Sequence, residues 1–334
     1  MTDSILLTGI SGFIAKRIAF DLLQAGHRVT GSLRSAKRAD EVRATLTANG
    51  LDPASLARLD FVSLDLTSDA GWPDAMHGKS AVIHTASPFP LAQPKDENDL
   101  IRPAVDGTLR VLRAAQAAGV TRVVLTSSLE AVMHGAKTGP VTEADWTDLN
   151  APTVSAYTKS KTLAERAAWD FVAQHPEMQL TCINPGVVLG TPMDRETGSS
   201  ISVIGRIMSG KDPVVPDIRL PVTDIADVSQ AHVAALSHPE SIGQRYIMAD
   251  RFLSMPDMAR LLKATYPQRK IATRIAPRFL LRLLALFDAE IKLVLPWLDW
   301  SATLDNRKAR DGLGLAITPA ETSVLATGRF LASA

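Results

Sequence analysis

Ile5-Leu6-Leu7-Thr8-Gly9-Ile10-Ser11-Gly12-Phe13-Ile14-Ala15 sets an apolar run directly before a glycine-rich turn and a helical stretch. Gly9 permits a tight strand-to-helix turn, and Gly12 lets a phosphate approach the backbone with no side chain between. The first amides of the following helix would then face phosphate oxygens. Ala15 still allows close helix–sheet packing, although it is larger than glycine. The stretch predicts a dinucleotide site built on the first strand of a parallel sheet.

Outward from that turn, apolar runs alternate with helical ones. Strands are expected at 5–7, 27–33, 59–64, 81–86, 120–126 and 180–183, with helices at 14–24, 99–118 and 157–173. Strands that are apolar on both faces, alternating with helices, predict an α/β fold with a doubly wound, Rossmann-like parallel sheet. Residues 129–156, rich in Gly, Pro, Thr and Asp, read as a long irregular connection. Pro185 and Gly186 are expected to end the strand before them. Beyond residue 186 the alternation weakens. The expected organisation is a cofactor-binding part over 1–185 and a smaller, interleaved C-terminal substrate-binding lobe over 186–334. Segments at about 221–250 are expected to return to the cofactor domain, with a helix at 226–236 and a strand at 245–248.

The second strand ends in Gly31-Ser32-Leu33-Arg34-Ser35-Ala36-Lys37-Arg38. An NAD site commonly has an acidic side chain near this point. Here Arg34 stands in its place, with Lys37 and Arg38 beyond, and a guanidinium can pair with a 2′-phosphate. The expectation is therefore NADP(H) rather than NAD(H). Asp65 and Leu66, after the third strand, are candidates to meet the adenine.

Tyr157 and Lys161 are spaced i, i+4 on an expected helix and so share a face. Such a phenol can give a proton to a carbonyl oxygen, while the lysine charge favours the phenolate. Ser128 can hold the substrate oxygen, with Ser127 a close rival. Asn184-Pro185-Gly186 supplies a turn downstream.

Assembled in order, these residues resemble the extended short-chain dehydrogenase/reductase family, nearest its dihydroflavonol reductase-like and aldehyde (ketone) reductase-like branch. Ala86-Ser87-Pro88-Phe89, Val105-Asp106-Gly107-Thr108, Leu125-Thr126-Ser127-Ser128, Tyr157-Thr158-Lys159-Ser160-Lys161, Asn184-Pro185-Gly186-Val187 and Val222-Thr223-Asp224-Ile225-Ala226-Asp227-Val228 carry the resemblance. It implies NADPH-dependent, reversible reduction of an aldehyde or ketone, with Ser128 polarising substrate, Tyr157 as acid/base and Lys161 binding ribose. It implies cofactor contacts from Thr8, Gly9, Ser11, Gly12, Phe13, Ile14, Ala86, Ser87, Pro88 and Thr126. Pro185, Gly186, Val187 and Val188 would line the nicotinamide. Phe89 and Met133 join Ser128 and Tyr157 as candidate substrate contacts. A sugar-nucleotide epimerase and a non-catalytic NADP sensor are the alternatives. Leu129 stands where related dehydratases carry an acid, which argues against dehydration.

The composition fits a small-molecule enzyme. Lys+Arg 36 against Asp+Glu 35 leaves no basic footprint for nucleic acid. The single cysteine, Cys182, excludes an internal disulfide, and no spacing suggests a metal site. His84 reads as a hydrogen-bonded packing residue, and Asp224 and Asp227 as groups serving a helix start. The leucine-rich stretch 279–300 contains Arg282, Asp288, Glu290, Lys292 and Pro296, so it reads as amphipathic helix, not membrane span. A cytoplasmic protein is expected, and the resemblance is compatible with a homodimer.

Overall fold

The computed structural model describes residues 3–87, 96–135, 139–287, 295–298 and 300–333. Seven parallel strands form the main sheet. They are β1 (Ser4–Thr8), β2 (Arg28–Leu33), β3 (Leu59–Ser63), β4 (Ala81–His84), β5 (Arg122–Thr126), β7 (Gln179–Pro185) and β10 (Gln244–Met248). Their order is β10-β7-β5-β4-β1-β2-β3. The chain leaves β1 toward β2 and β3, then crosses back to lay β4 on the other side of β1. That reversal opens a crevice at the carboxyl ends of β1 and β4, where doubly wound sheets bind ligands.

Side-chain alternation in β1 shows how the sheet is buried. Ile5 and Leu7 pack into one apolar cluster with Ile18, Leu22, Ala231 and Ala235. Leu6 faces the opposite cluster with Val82, Val111, Leu112 and Ala168. The first face is covered by α1 (Phe13–Gln24) and α8 (Ile225–Ser237), the second by α5 (Asn98–Ala117) and α6 (Ala156–Gln174). On the first face α2 (Ala39–Ala48) and the short α3 (Pro53–Leu56) join them, and the short α4 (Trp72–Met76) packs on the second.

The second lobe is a three-stranded sheet, β11-β9-β8, made of β8 (Val187–Leu189), β9 (Arg219–Asp224) and β11 (Arg251–Ser254). Its core is shared with α7 (Ser199–Ser209) and the helices Met255–Thr265 and Ala320–Ser333. Strand β6 (Pro140–Val141) pairs with β12 (Thr303–Leu304), giving the 129–156 connection one ordered anchor. Strand β7 runs on through Pro185, beyond its expected end. Proline fits there because it is the last residue of the strand, paired with Met248.

In the leucine-rich stretch the described helix is Arg278–Leu284, and Phe279 stands 73% exposed. Among the described residues, no helix is long and apolar enough to cross a membrane, and no group of side chains could hold a metal. Cys182 is a buried free thiol.

Candidate active site

A cleft of about 820 Å³ runs along the switch point, from the end of β2 past the glycine turn to α6 and the start of the second lobe. Gly9 sits at φ +68°, and a Cβ there would lie 3.1 Å from the backbone of Ala86. Gly12 donates to the Gly9 carbonyl at 2.8 Å and precedes α1, whose first internal bond joins Lys16 N–H to Gly12 O. The amides of Phe13, Ile14 and Ala15 therefore have no partner within the helix. Glycine-cradled backbone and free helix amides in one crevice fit a pyrophosphate.

Thr8 itself is buried and works behind the cleft. Its Oγ1 accepts from the amides of Thr85 and Ala86 at 3.1 Å each and contacts His84 Nδ1 at 2.7 Å. With two amides on its lone pairs, the hydroxyl proton goes to His84 Nδ1, so this imidazole is a neutral acceptor. Burial, aided by the charge of Lys161, pushes His84 down to about 3.

At the adenosine end, Arg34 lines the cleft and makes no side-chain hydrogen bond or ion pair among the described residues. Lys37 is exposed and does not line the cleft, whereas Arg38 does. Asp65 and Leu66 line it too. Thr67, through its amide and hydroxyl, each 2.7 Å from Asp65 Oδ1, holds the Asp65 carboxyl below its ordinary value.

At the other end, Ser155 caps α6 by accepting from Thr158 N–H at 3.1 Å, which fixes Tyr157 in the first turn. Lys161 follows one turn on, its Nζ 5.9 Å from the centre of the tyrosine ring. Ser128 hydrogen-bonds the Tyr157 phenol, whereas the Ser127 hydroxyl donates to Glu165 at 2.5 Å. The geometry thus separates the two serines. Desolvation raises the Tyr157 phenol well above its ordinary value, reinforced by the negative charge of Glu130. Burial lowers Lys161 to about 8, against the opposing pull of Glu165.

Ser11, Ala86, Ser87, Thr126, Pro185, Gly186 and Val188 also line the cleft. The Thr126 hydroxyl is engaged with His232 Nε2 at 2.7 Å. Val187 packs instead into the core of the second lobe, and Met133 into an apolar cluster with Trp297 and Trp300. Pro88 and Phe89 lie outside the described residues. Glu130 accepts from Thr158 Oγ1 at 2.5 Å and pairs with His134 at 2.9 Å; it does not line the cleft. Asp224 caps α8, and Asp227 accepts from the amide and hydroxyl of Thr318.

Several lining residues gave no signal in the sequence: Trp72, Asp99, Leu100, Pro103 and Glu196. Each reaches the cleft through tertiary packing, and none belongs to a short pattern. Glu165 was likewise unread. It lies one turn beyond Lys161, fully buried, and its carboxylate accepts from Ser127, Asn184, Trp169 and Arg245.

The profile of the NAD dependent epimerase/dehydratase family matches residues 5–249. The chain belongs to this family, as an extended short-chain dehydrogenase/reductase. Within the family it is similar to anthocyanidin reductase ((2S)-flavan-3-ol-forming) of Vitis vinifera, 31% identical over 284 residues, covering 80% of this chain and 82% of that protein. It is also 31% identical over 296 residues to NADPH-dependent methylglyoxal reductase of Saccharomyces cerevisiae, covering 80% and 84%. The solved structure of the yeast methylglyoxal/isovaleraldehyde reductase complexed with NADPH superposes with a TM-score of 0.82 at 27% identity. That match covers 99% of this chain and 98% of the other. Sequence and fold make this family member an oxidoreductase of carbonyl and alcohol groups.

Proposed function

We propose that the protein is an NADPH-dependent carbonyl reductase that converts an aldehyde or ketone to an alcohol, reversibly. The observation that carries this reading is the meeting of Ser128, Tyr157 and Lys161 in the same cleft as the Gly9–Gly12 cradle. When bound, the reduced nicotinamide supplies a hydride to the carbonyl carbon. Ser128 hydrogen-bonds the carbonyl oxygen and aims it at the phenol. Tyr157 keeps its proton at neutral pH because its surroundings disfavour the phenolate, and it delivers that proton as charge develops on oxygen. The ammonium of Lys161 offsets the charge left on the tyrosine. Arg34, just past the end of β2 and with no side-chain hydrogen bond or ion pair among the described residues, suits the 2′-phosphate of NADP(H). The names of the relatives support small aldehydes and flavonoid-type carbonyls as the first substrates to try. The balanced charge supports a small-molecule role.

The test is NADPH oxidation across aliphatic and aromatic aldehydes, ketones, β-keto esters and dihydroflavonols, with Tyr157→Phe alongside. We expect turnover that falls roughly 10²–10⁴-fold in the variant with NADPH binding kept. Full activity in Tyr157→Phe removes the proton-donor role. Binding without turnover on any carbonyl, followed by conversion of UDP- or GDP-sugars, turns the reading to an epimerase.

A further inference from the structure

At the adenosine end of the cleft the second lobe reaches back over the first. Residues 193–196, which follow β8, lie against α1, α2 and the turn Ala36–Arg38. Asp194 pairs with Lys16 of α1, itself only 2% exposed, and accepts from Thr45 Oγ1 at 2.9 Å. Asn49 Nδ2 donates to the Met193 carbonyl at 2.8 Å. These bonds anchor the segment independently of Glu196. Glu196 pairs with Arg38, whose Nε also donates to Glu41 at 2.9 Å. Both Arg38 and Glu196 line the cleft, together with Arg34.

We propose that Glu196 is a specificity-determining residue: its carboxylate holds Arg38 until the 2′-phosphate of NADP(H) displaces it. The proposal rests on the NADP(H) reading above and adds the group that the phosphate must compete with. A 2′-phosphate carries nearly two negative charges and meets a carboxylate already bonded to one of the cations it would use. NAD(H), with a neutral 2′-hydroxyl, leaves the Arg38–Glu196 pair in place and meets no such repulsion. Glu196 therefore weakens NADP(H) binding selectively and narrows the preference that Arg34 creates. The carboxylate is 59% exposed, so solvent screens the effect and keeps it moderate.

Isothermal titration reads this without turnover. The ligands are NADPH, NADH, adenosine 2′,5′-bisphosphate and adenosine 5′-monophosphate, on the wild type, Glu196→Gln and Asn49→Ala. In Glu196→Gln, the two 2′-phosphorylated ligands should bind roughly threefold to tenfold tighter and the other two within about twofold of wild type. The gain should shrink at about 0.5 M salt. Asn49→Ala, which loosens the anchor at Met193 without changing charge, should change all four ligands alike. Unchanged affinities in Glu196→Gln, or an equal change for all four ligands, overturn the proposal while leaving NADPH binding intact. Wild-type protein that binds none of the four brings down the cofactor reading, and the proposal with it.

Discussion

Lys161 stands between two opposing influences. Burial strips water from its ammonium and lowers it to about 8, while the Glu165 carboxylate one turn away resists that fall. A lowered lysine is charged below its pKa and neutral above it. The Tyr157 phenol, shifted upward, stays protonated throughout the neutral range. We therefore expect kcat/KM for reduction to be level at neutral pH and to decline as pH rises through about 8, close to tenfold per unit at the limit. Lys161→Arg, permanently charged, should lose that alkaline limb even if its overall rate is lower. A pH–rate profile of both proteins checks this, and a limb that persists in the arginine variant assigns it to another group. At this scale the sequence was legible where a residue acts through a short pattern. Gly9, Gly12, Tyr157 and Lys161 all reach the cleft. The basic run after β2 was less legible, because a 3-10 turn at Ala36–Arg38 carries Arg38, not Lys37, to the lining. Spacing alone does not disclose a single turn of that kind.

Helix α6 places Tyr157, Lys161 and Glu165 on one stripe, each four residues after the last. The first two face the cleft, and the third is a buried junction. Glu165 receives Arg245 Nε of β10 at 2.6 Å and Asn184 Nδ2 of β7 at 2.7 Å, so the helix is tied to two strands of the sheet beneath it. Arg245 continues to the carbonyls of Glu143 and Asp145 and lies 3.8 Å from the Trp146 ring centre. Removing one member of a buried pair leaves the other charge without compensation. Glu165→Ala should lose about 3–5 kcal/mol of stability in urea unfolding. Glu165→Gln, whose single amide oxygen can still accept from Arg245 while its NH2 faces the Ser127 hydroxyl, should lose less. Equal losses would mean that the carboxylate charge, not its hydrogen bonds, holds the junction. The i, i+4 rule exposed the Tyr–Lys half of this stripe. Glu165 escapes because all its partners but Trp169 come from positions 127, 184 and 245, and no local periodicity links these.

At the scale of the molecule, the two lobes are interleaved. After β8 and β9 have paired, α8 returns to cover the main sheet, β10 adds its edge strand beside β7, and only then does β11 complete the small sheet. The main sheet was legible because its strands are apolar on both faces. The second lobe was not, because β8 and β11 have three and four residues and β9 contains Arg219 and Pro221, too short and mixed for a periodic signal. Repeated chain crossings between the lobes and a cleft lined from both predict one calorimetric unfolding transition. At a hundredfold excess over Kd, NADPH should stabilise it by about 2.7 kcal/mol. Two peaks, of which only one moves with NADPH, would show lobes that unfold separately. The late arrival of β10 also bears on synthesis. A chain emerging from the ribosome has made Glu165 of α6 eighty residues before it reaches Arg245. Until then that carboxylate lacks its hydrogen-bonded guanidinium, and the flank of β7 lies open as an unpaired parallel edge. Nascent chains stalled in that interval should therefore recruit chaperones more readily than chains that have completed β10, which ribosome-bound pull-downs can read.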